Sequence, residues 1–311
     1  MIYNKWLDEW LSAFVKPIVK ARTFAQYNDI LRLRVSPELG LYDMDELNVA
    51  VLQQFVAKMT EMYAPNTVTF ILNVVKNSLT SAEKTGIVKR NFADCLQLPR
   101  PNEKKIECFS VAEQKKLEKF VFESEKPKLF GIVIGLYTGM RVGELMALEW
   151  NDIDLSRGTI SITKTCHDLW QNGAYKKIID TPKTQNSWRT IPVPKQLLPY
   201  LRRIKKQSGS AYVVSGANGK DVPIRSYQRT FELVLKNLKI PHRGFHALRH
   251  TFATRALECG MDVKTLSEIL GHKNPTVTLK RYVHSLMEHK SAMMNKIAKT
   301  MNMGGDLNPE E

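Results

Sequence analysis

The chain has 311 residues and a mass of 35.6 kDa, enough for about two domains with separate cores. Apolar residues make up 43% and charged residues 25%, which excludes a collagen-like, low-complexity or largely disordered chain. The four cysteines form no C-x-x-C pair, which excludes a zinc ribbon and a disulfide framework, and we expect them to be small buried residues.

The charge balance indicates a polyanionic partner. Lys and Arg number 46 against 31 Asp and Glu, giving a net charge of +15. Residues 1–100 hold 12 basic and 10 acidic residues, so 34 basic and 21 acidic residues lie in 101–311. We therefore expect the later part of the chain to face the polyanion most strongly.

No segment of the sequence reads as a membrane span or a secretion signal. The longest apolar run, at 129–137, is well short of the roughly 18 residues that a span needs. The first ten residues, MIYNKWLDEW, carry charge where a signal peptide would be apolar. We expect a cytoplasmic protein without a membrane partner.

The first 98 residues show the apolar spacing of helices joined by short turns. The predicted helices are 2–14, 22–35, 47–63 and a fourth that opens with Asn66 as N-cap and closes near Gly86. We expect the second to stop at Ser36-Pro37, because the residue before a proline is pushed out of the α region.

The fourth helix has one apolar stripe and one polar face. The stripe is Val68, Ile71, Val75 and Leu79, and the polar face is Asn73, Lys76, Asn77 and Lys84. Solvation is the simple interpretation of that polar face, and DNA contact through Lys76 is the alternative.

The segment LPRPNEKKIE at 98–107 combines two prolines with alternating charges and has no apolar period. It predicts a helical domain at 1–98, a linker at 99–107, a second domain at 108–285 and a tail at 286–311.

The second domain is predicted to mix helices with a small antiparallel β-sheet. Helices are expected near 111–122 and 128–137, and again from 194 onward. Strand-like runs lie at 159–163, 175–181 and 188–193, each rich in β-branched or aromatic residues. The predicted fold class is mainly α with a small antiparallel β-sheet (α+β).

The segment GFHALRHTFATRALECG at 244–260 predicts a helix with one buried stripe. On an adjacent stripe it places His246, Arg249 and His250. The simple alternative is a polar helix edge. A zinc site at the two histidines is disfavoured, because Arg249 between them would repel the ion.

Two more segments carry candidate chemistry. YTGMRVGELMAL places Arg141 after a glycine turn with Glu144 one helical step away, and a plain salt bridge is the alternative to a functional pair. Further on, a short helix capped by Asp262 and ended by Gly271 should hold His272 at its terminus. Asn274-Pro275 starts the next helix, and Tyr282 follows within KRYVH.

Taken together, these residues resemble the tyrosine recombinases, or phage integrases. The resemblance rests on five blocks in order: TGMRVGEL, TPKTQNSWRTIPV around Lys183, HALRHTFAT, LGH ending at His272, and RYVH. VSPELG and NTVTFILNVV in the first domain also look like the family's helical, SAM-like core-binding domain. The resemblance implies a core-binding domain followed by a catalytic domain, and we expect no arm-binding domain before them.

The family resemblance implies a role for each matched residue. Arg141 and Arg249 would bind the phosphate, since guanidinium groups bond it bidentately and stay charged, and His272 would add a hydrogen bond. Tyr282 would be the nucleophile and Lys183 the general acid. We assign the base to His246, an orienting role to Glu144, and a supporting role to His250, for which a packed histidine is the alternative.

The implied function is site-specific cutting and rejoining of DNA through a 3′-phosphotyrosyl intermediate, without cofactor, metal or ATP. The expected partners are double-stranded attachment or core sites and three further copies in a homotetramer, with directionality or DNA-bending proteins as candidate accessories. The alternatives are type IB topoisomerase-like relaxation and a non-catalytic DNA-binding regulator on the same fold.

Three further expectations concern DNA contact and assembly. Four polar residues open the helix at RSYQRTFELVLKNL and are candidate DNA contacts, although Ser226 could simply be the helix cap: Arg225, Ser226, Gln228 and Arg229. Arg22 and Thr23 are similar candidates in the first domain. The tail carries an apolar stripe (Met293, Met294, Ile297 and Met301) that could dock on a neighbouring subunit or on its own core.

Overall fold

The computed structural model describes residues 1–100, 107–124, 126–171, 173–180, 188–216, 219–272, 274–276, 294–295 and 297–298. The chain divides into two compact units, Met1–Lys104 and Lys105–Glu311.

In its described part the first unit is built from helices, with one isolated antiparallel bridge between Ile2 and Asp43. Its helices are α1 (Tyr3–Trp10), α2 (Ala21–Ile30), α3 (Ser36–Leu39), α4 (Val49–Met62) and α5 (Pro65–Lys84). Wider π-helical turns at Leu11–Val15 and Leu31–Val35 extend α1 and α2, and 3-10 turns lie at Met44–Glu46 and Phe92–Cys95.

The core of this unit forms around α5. The predicted stripe is buried, with Val68, Ile71 and Val75 fully inaccessible to solvent. Trp6 of α1 is also fully buried, and its indole Nε1 donates to the Ser78 carbonyl at 3.1 Å. The aromatic side chains of α1 thus pack on the apolar face of α5.

Two expectations about helix ends in this unit are wrong. The helical conformation continues through Ser36, whose φ of −58° and ψ of −40° are α-helical, because Pro37 falls in the first turn of α3. A proline is tolerated there since its missing N–H would have no partner inside the helix. Asn66 is not a cap either: α5 begins one residue earlier, at Pro65, with Ala64 before it.

The second unit combines seven helices with five strands in the described residues. The helices are α6 (Val111–Ser124), α7 (Pro127–Thr138), α8 (Val142–Ala147), α9 (Leu198–Gln207), α10 (Ile224–Asn237), α11 (His246–Glu258) and α12 (Val263–Leu270). The strands are β1 (Ile153–Asp154), β2 (Thr159–Ile162), β3 (Thr165–Gln171), β4 (Ala174–Asp180) and β5 (Arg189–Pro192).

These strands form two antiparallel sheets rather than the one expected. β1, β2 and β5 make a three-stranded sheet in which Ile160 pairs with Ile191. β3 and β4 make a separate hairpin, with Thr165 opposite Asp180. Two strands carry no clear signal in the sequence: β1 has only two residues, and β3 (TCHDLWQ) lacks a continuous β-branched run.

Helix α7 is the centre of the second core, and α11 packs directly on it. Gly139 ends α7 with a φ of +63°, and a Cβ there would lie 2.5 Å from the Phe252 ring. At Gly143 a Cβ would lie 2.6 Å from the Cys166 carbonyl oxygen, so this glycine lets the β3–β4 hairpin approach α8. The mainly α fold with small antiparallel sheets is confirmed.

The cysteines differ from expectation in their burial. All four are free thiols, but Cys95 and Cys259 are exposed, and of the others only Cys166 is fully buried. In the described part of the chain, no helix has the length and apolar character that crossing a bilayer requires.

We predict that Ser78→Ala destabilises the first unit by about 1–3 kcal/mol, the cost of leaving a buried polar group without its partner. The Ser78 hydroxyl donates to the Val75 carbonyl and therefore accepts from the Tyr3 hydroxyl at 2.6 Å. Hydrogen-exchange protection of α1 and α5 peptides in the full chain measures this change.

Two variants control this prediction. Ser12→Ala removes an exposed serine that bonds the nearby Glu9 carbonyl, and should change protection by less than about 0.5 kcal/mol. Adding Tyr3→Phe to Ser78→Ala should cost less than the sum of the two single changes, and full additivity would contradict the coupling.

Candidate active site

Arg141 and Glu144 are fixed to each other at the turn between α7 and α8. The Arg141 backbone N–H donates to Glu144 Oε2 at 2.9 Å, and its Nη1 donates to Oε1 at 2.7 Å. The Arg141 side chain is 39% exposed, whereas that of Glu144 is 5% exposed. The carboxylate therefore holds the guanidinium from the protein side while part of the guanidinium faces outward.

Arg249 is a buried cation held at the ends of two helices. Its side chain is among the largest that are buried, with 2% exposure. Nη1 donates to the Gly139 carbonyl at the end of α7, at 2.9 Å, and Nη2 donates to the Leu270 carbonyl at the end of α12, at 2.8 Å. The last carbonyls of a helix carry partial negative charge and lack partners within the helix, so they compensate a buried guanidinium.

The C-terminal end of α12 collects three guanidinium groups on three successive carbonyl oxygens. Ile269 accepts from Arg189 Nε at 2.6 Å, Leu270 from Arg249 Nη2, and Gly271 from Arg141 Nη2 at 3.2 Å. These arginines come from β5, α11 and the α7–α8 turn, so α12 is the element on which the three sequence blocks meet.

His272 follows this helix end directly. Gly271 takes a left-handed conformation with a φ of +64°, and the His272 N–H donates to the Ser267 carbonyl at 3.0 Å. Asp262 caps the other end of α12 by accepting from the Thr265 N–H, as predicted. His272 is half-buried and directly follows the helix end whose Leu270 and Gly271 carbonyls accept from Arg249 and Arg141.

Glu144 is shared between two arginines. Arg189 donates from Nη1 to Oε1 at 3.1 Å and from Nη2 to Oε2 at 2.8 Å, in addition to the contacts from Arg141. Burial alone would raise the pKa of the Glu144 carboxyl, but the hydrogen bonds and charge of Arg189 and the charge of Arg141 lower it to about 2. Glu144 is ionised at every working pH.

The two histidines of α11 lie edge to face. The ring centroids of His246 and His250 are 4.6 Å apart with an interplanar angle of 86°. His246 is the first residue of α11 and is exposed, whereas His250 is half-buried. Among the described residues, no group of three His, Cys, Asp or Glu side chains could hold a metal ion.

Two of the residues expected at this site, Lys183 and Tyr282, lie outside the described residues. In the sequence, Lys183 falls between β4 and β5, and Tyr282 follows the short described segment 274–276, where the Thr276 N–H donates to the Asn274 side chain as expected of a helix start.

The candidate DNA contacts on α10 share one end of the helix. Arg225, Ser226 and Arg229 are exposed and Gln228 is half-buried. Ser226 is not the cap, because α10 begins at Ile224.

The cap of α10 comes instead from β3. The Asp168 carboxylate accepts from the Ile224 and Arg225 N–H groups, both at 2.9 Å. The β3–β4 hairpin thus fixes the start of α10, and the Arg225 guanidinium lies 5.7 Å from the Tyr175 ring centroid.

In the first unit, Arg22 and Thr23 lie in the first turn of α2, where Arg22 is exposed and Thr23 is half-buried. Lys76 forms an ion pair with Asp94. Of the tail stripe, only Met294 and Ile297 are described, both in helical conformation and exposed.

Sequence reasoning missed Arg189 and Asp168. Arg189 stands inside the quoted block TPKTQNSWRTIPV, but nothing in that block indicates that its partner is Glu144. Asp168 carries no local signal, since it caps a helix that begins 56 residues later.

Comparison with known proteins gives matches over both units. The profile of the phage integrase family matches residues 112–289, and that of the phage integrase N-terminal SAM-like domain matches residues 2–60. A tyrosine recombinase XerC-like protein of Caldanaerobacter subterraneus subsp. tengcongensis is 30% identical, over 92% of this chain and 80% of the relative. The ICEBs1 integrase of Bacillus subtilis is 27% identical, over 72% of this chain and 64% of its own length.

Solved structures show the same fold. A Tn1549 transposon integrase fragment in complex with a circular intermediate DNA aligns with a TM-score of 0.81 at 23% identity, over 96% of this chain and 99% of that one. A lambda integrase tetramer bound to a Holliday junction aligns with a TM-score of 0.69 at 17% identity, over 89% of this chain and 79% of that one. With the family profile spanning most of the second unit, the chain belongs to the phage integrase family and is a tyrosine recombinase.

Proposed function

We propose that this chain is a site-specific recombinase that cuts and rejoins double-stranded DNA through a 3′-phosphotyrosyl link to Tyr282, without metal or ATP. The observation that carries the proposal is the convergence of Arg141, Arg249 and His272 on the end of α12. The sequence blocks that supply them are the ones that resemble the family.

The two arginines are suited to a phosphate that gains charge. In-line displacement places extra negative charge on the non-bridging oxygens, and fixed guanidinium donors stabilise it without having to reorganise. Arg141 is held by Glu144, and Arg249 by two helix ends. Both cations are therefore oriented before DNA binds, and His272 beside them would add a further hydrogen bond.

The reaction balances within these residues. The Tyr282 hydroxyl oxygen forms a bond to phosphorus as the bond to the 5′ oxygen breaks; His246 accepts the phenolic proton, and Lys183 donates one to the departing oxygen. A 5′ hydroxyl of the partner strand then attacks the phosphotyrosine and gives its proton to Lys183, while the bond to Tyr282 breaks and His246 returns a proton to the phenolic oxygen. The covalent link keeps the energy of the broken bond, so rejoining needs no ATP.

His250 and Glu144 act through other residues. His250 packs edge to face against His246 and would orient it. Glu144 orients Arg141, and because it is shared with Arg189 it does not neutralise the positive charge of the site.

The assembly and its DNA contacts form part of the same proposal. We expect a homotetramer on two paired core or attachment sites in the cytoplasm, with accessory proteins that bend DNA or set the direction. In this proposal the first unit contacts DNA through Arg22, Thr23 and Lys76. The second unit contacts it through Arg225, Ser226, Gln228 and Arg229. We assign a core-binding domain to 1–98, a linker to 99–107, a catalytic domain to 108–285 and a tail to 286–311. The tail would either dock on a neighbouring subunit or pack on its own core.

The central prediction concerns Tyr282→Phe. Incubated with duplexes enriched from a random-sequence pool by binding to this chain, the unsubstituted protein should give an SDS-resistant, protease-sensitive adduct on DNA. Tyr282→Phe should bind the same duplexes and give none, because it lacks the oxygen that attacks phosphorus.

Tyr42→Phe, which alters an exposed tyrosine of the first unit, is the control and should give the normal adduct. An adduct from Tyr282→Phe would contradict the assignment. Relaxation of a supercoiled plasmid without any exchanged strands would favour a topoisomerase, and specific binding without an adduct would favour a regulator.

A second prediction concerns charge geometry at the phosphate. Arg141→Lys keeps the charge but loses the planar fork, and we expect the rate of adduct formation to fall by about 10²–10³-fold. For Arg249→Lys we expect the rate of adduct formation to fall at least as far. Because Arg249 is buried, this variant should also lose some thermal stability. Arg157→Lys, at an arginine that is 84% exposed, is the matched control, and equal rates for all three would overturn the roles.

A third prediction follows from the lowered pKa of Glu144. Because the folded-state pKa of about 2 lies below the ordinary 4.5, the ionised carboxylate stabilises the fold fully above about pH 5, and this contribution is lost as pH falls toward 2. The pKa lowering corresponds to about 3 kcal/mol. Urea unfolding of the full chain should therefore show a large gap between the unsubstituted protein and Glu144→Gln at neutral pH, shrinking steadily below about pH 5.

Glu123→Gln, which removes one partner of an exposed surface pair with Lys119, should show a small gap at all pH values. A gap for Glu144→Gln that stays constant down to about pH 3 would contradict this explanation.

A further inference from the structure

We infer that Arg189 is a positioning residue for the proposed reaction: it locks Glu144 to the C-terminal end of α12 and thereby places Arg141 and His272. This inference rests on the proposed function and adds a residue that the proposed reaction does not itself use.

Arg189 connects two parts of the site with three donors. Its Nε donates to the Ile269 carbonyl at 2.6 Å, while Nη1 and Nη2 donate to the two oxygens of Glu144 at 3.1 and 2.8 Å. The side chain is 6% exposed. The planar guanidinium of Arg189 thus binds the Glu144 carboxylate through Nη1 and Nη2 and the end of α12 through Nε.

Arg189 also contacts the turn that carries His272. A Cβ on Gly271 would lie 2.9 Å from Arg189 Nη1 and 3.1 Å from its Cδ, so the guanidinium occupies the space next to the glycine backbone. The Gly271 carbonyl accepts from Arg141 Nη2, and His272 follows in the chain. The position of Gly271 relative to Arg141 therefore depends on Arg189.

The second effect of Arg189 is on charge. Arg141 and Glu144 alone would form a neutral pair, and a carboxylate 2.7 Å from Arg141 would weaken the attraction of that arginine for a phosphate. With Arg189 on the same carboxylate, the three groups together carry one positive charge. Arg189 thus allows Glu144 to orient Arg141 without cancelling it.

The place of Arg189 in the chain adds a link to the proposed general acid. Arg189 is the first residue of β5 and pairs with Ile162 of β2. Lys183 lies six residues earlier in the sequence. Arg189 therefore fixes the start of β5, which follows Lys183 in the sequence, to the same helix end that holds Arg141 and Arg249.

The test compares Arg189→Met, Arg189→Lys and the unsubstituted chain on the enriched duplexes, with affinity and the rate of adduct formation at saturating protein measured separately. We expect Arg189→Met to lower the rate about tenfold to a hundredfold, since small misplacements of catalytic groups have effects of this size. Affinity should change less than about threefold, because most phosphate contacts are unaltered. The rate for Arg189→Lys should lie between those of Arg189→Met and the unsubstituted chain, since one ammonium cannot reach both Glu144 and Ile269.

A double variant separates positioning through Glu144 from a purely structural role. In Arg189→Met, Glu144 neutralises Arg141, so adding Glu144→Gln returns one net positive charge to the pair. Glu144→Gln alone should also slow adduct formation, because Arg141 then loses its ionic partner. If Arg189 acts through Glu144, Arg189→Met should slow the reaction less in the Glu144→Gln background than in the unsubstituted chain. Losses of rate that multiply in full would show independent roles and would overturn the inference.

Arg157→Met, at an exposed arginine that pairs with the nearby Asp154, is the matched control and should keep the full rate. An Arg189→Met rate within about twofold of the unsubstituted chain would also overturn the inference, as would losses of rate, affinity and folded protein that run in parallel. If the unsubstituted chain forms no adduct, the proposed function fails and this inference with it. An adduct from the unsubstituted chain and an unchanged rate in Arg189→Met would reject the inference alone.

Discussion

The second unit depends on one interaction, the binding of three guanidinium groups by the C-terminal carbonyls of α12. A helix end offers up to four carbonyl oxygens that have no partner within the helix, and they carry the negative end of the helix dipole. Here three successive oxygens accept from Arg189, Arg249 and Arg141. Positive side chains that would repel one another are thereby held close together.

This arrangement explains why the glycines of the site cannot be replaced without strain. Gly271 adopts a left-handed conformation at the end of α12 and leaves room for Arg189. Gly139 adopts a left-handed conformation at the end of α7, and its carbonyl accepts a hydrogen bond from Arg249. Each glycine lets a helix stop at the point where its last carbonyls can meet a cation. The positions of the helix ends and of the arginines therefore depend on each other. Arg141 is the partly exposed member of this group of arginines.

The β3–β4 hairpin also uses one charged side chain to bind the end of a helix. Its Asp168 caps the first N–H groups of α10, and its backbone approaches α8 across Gly143. One carboxylate thus satisfies the positive end of one helix, as the arginines satisfy the negative ends of two others. The exposed residues of the first turn of α10 are consequently fixed in orientation by a segment more than fifty residues away in the chain.

Much of this protein follows from local sequence. Apolar spacing predicted α5 and its buried stripe, a capping aspartate and a glycine predicted both ends of α12, and the residue types around Arg141, Arg249 and His272 were enough to indicate the family. These features depend on residues within one or two helical turns of each other, and local chemistry determines them. The same local rule was wrong at Ser36-Pro37, where the first turn of a new helix accepts the proline.

Only the tertiary structure decided which charges meet. Glu144 and Arg189 are 45 residues apart, and their contact requires β5, α8 and α12 to pack at one point. No spacing or propensity encodes that convergence, because a side chain's long-range partners depend on how every intervening element is placed. The sequence therefore determined the kinds of residue and their order, and packing determined that one carboxylate would be shared by two arginines at the end of a third element.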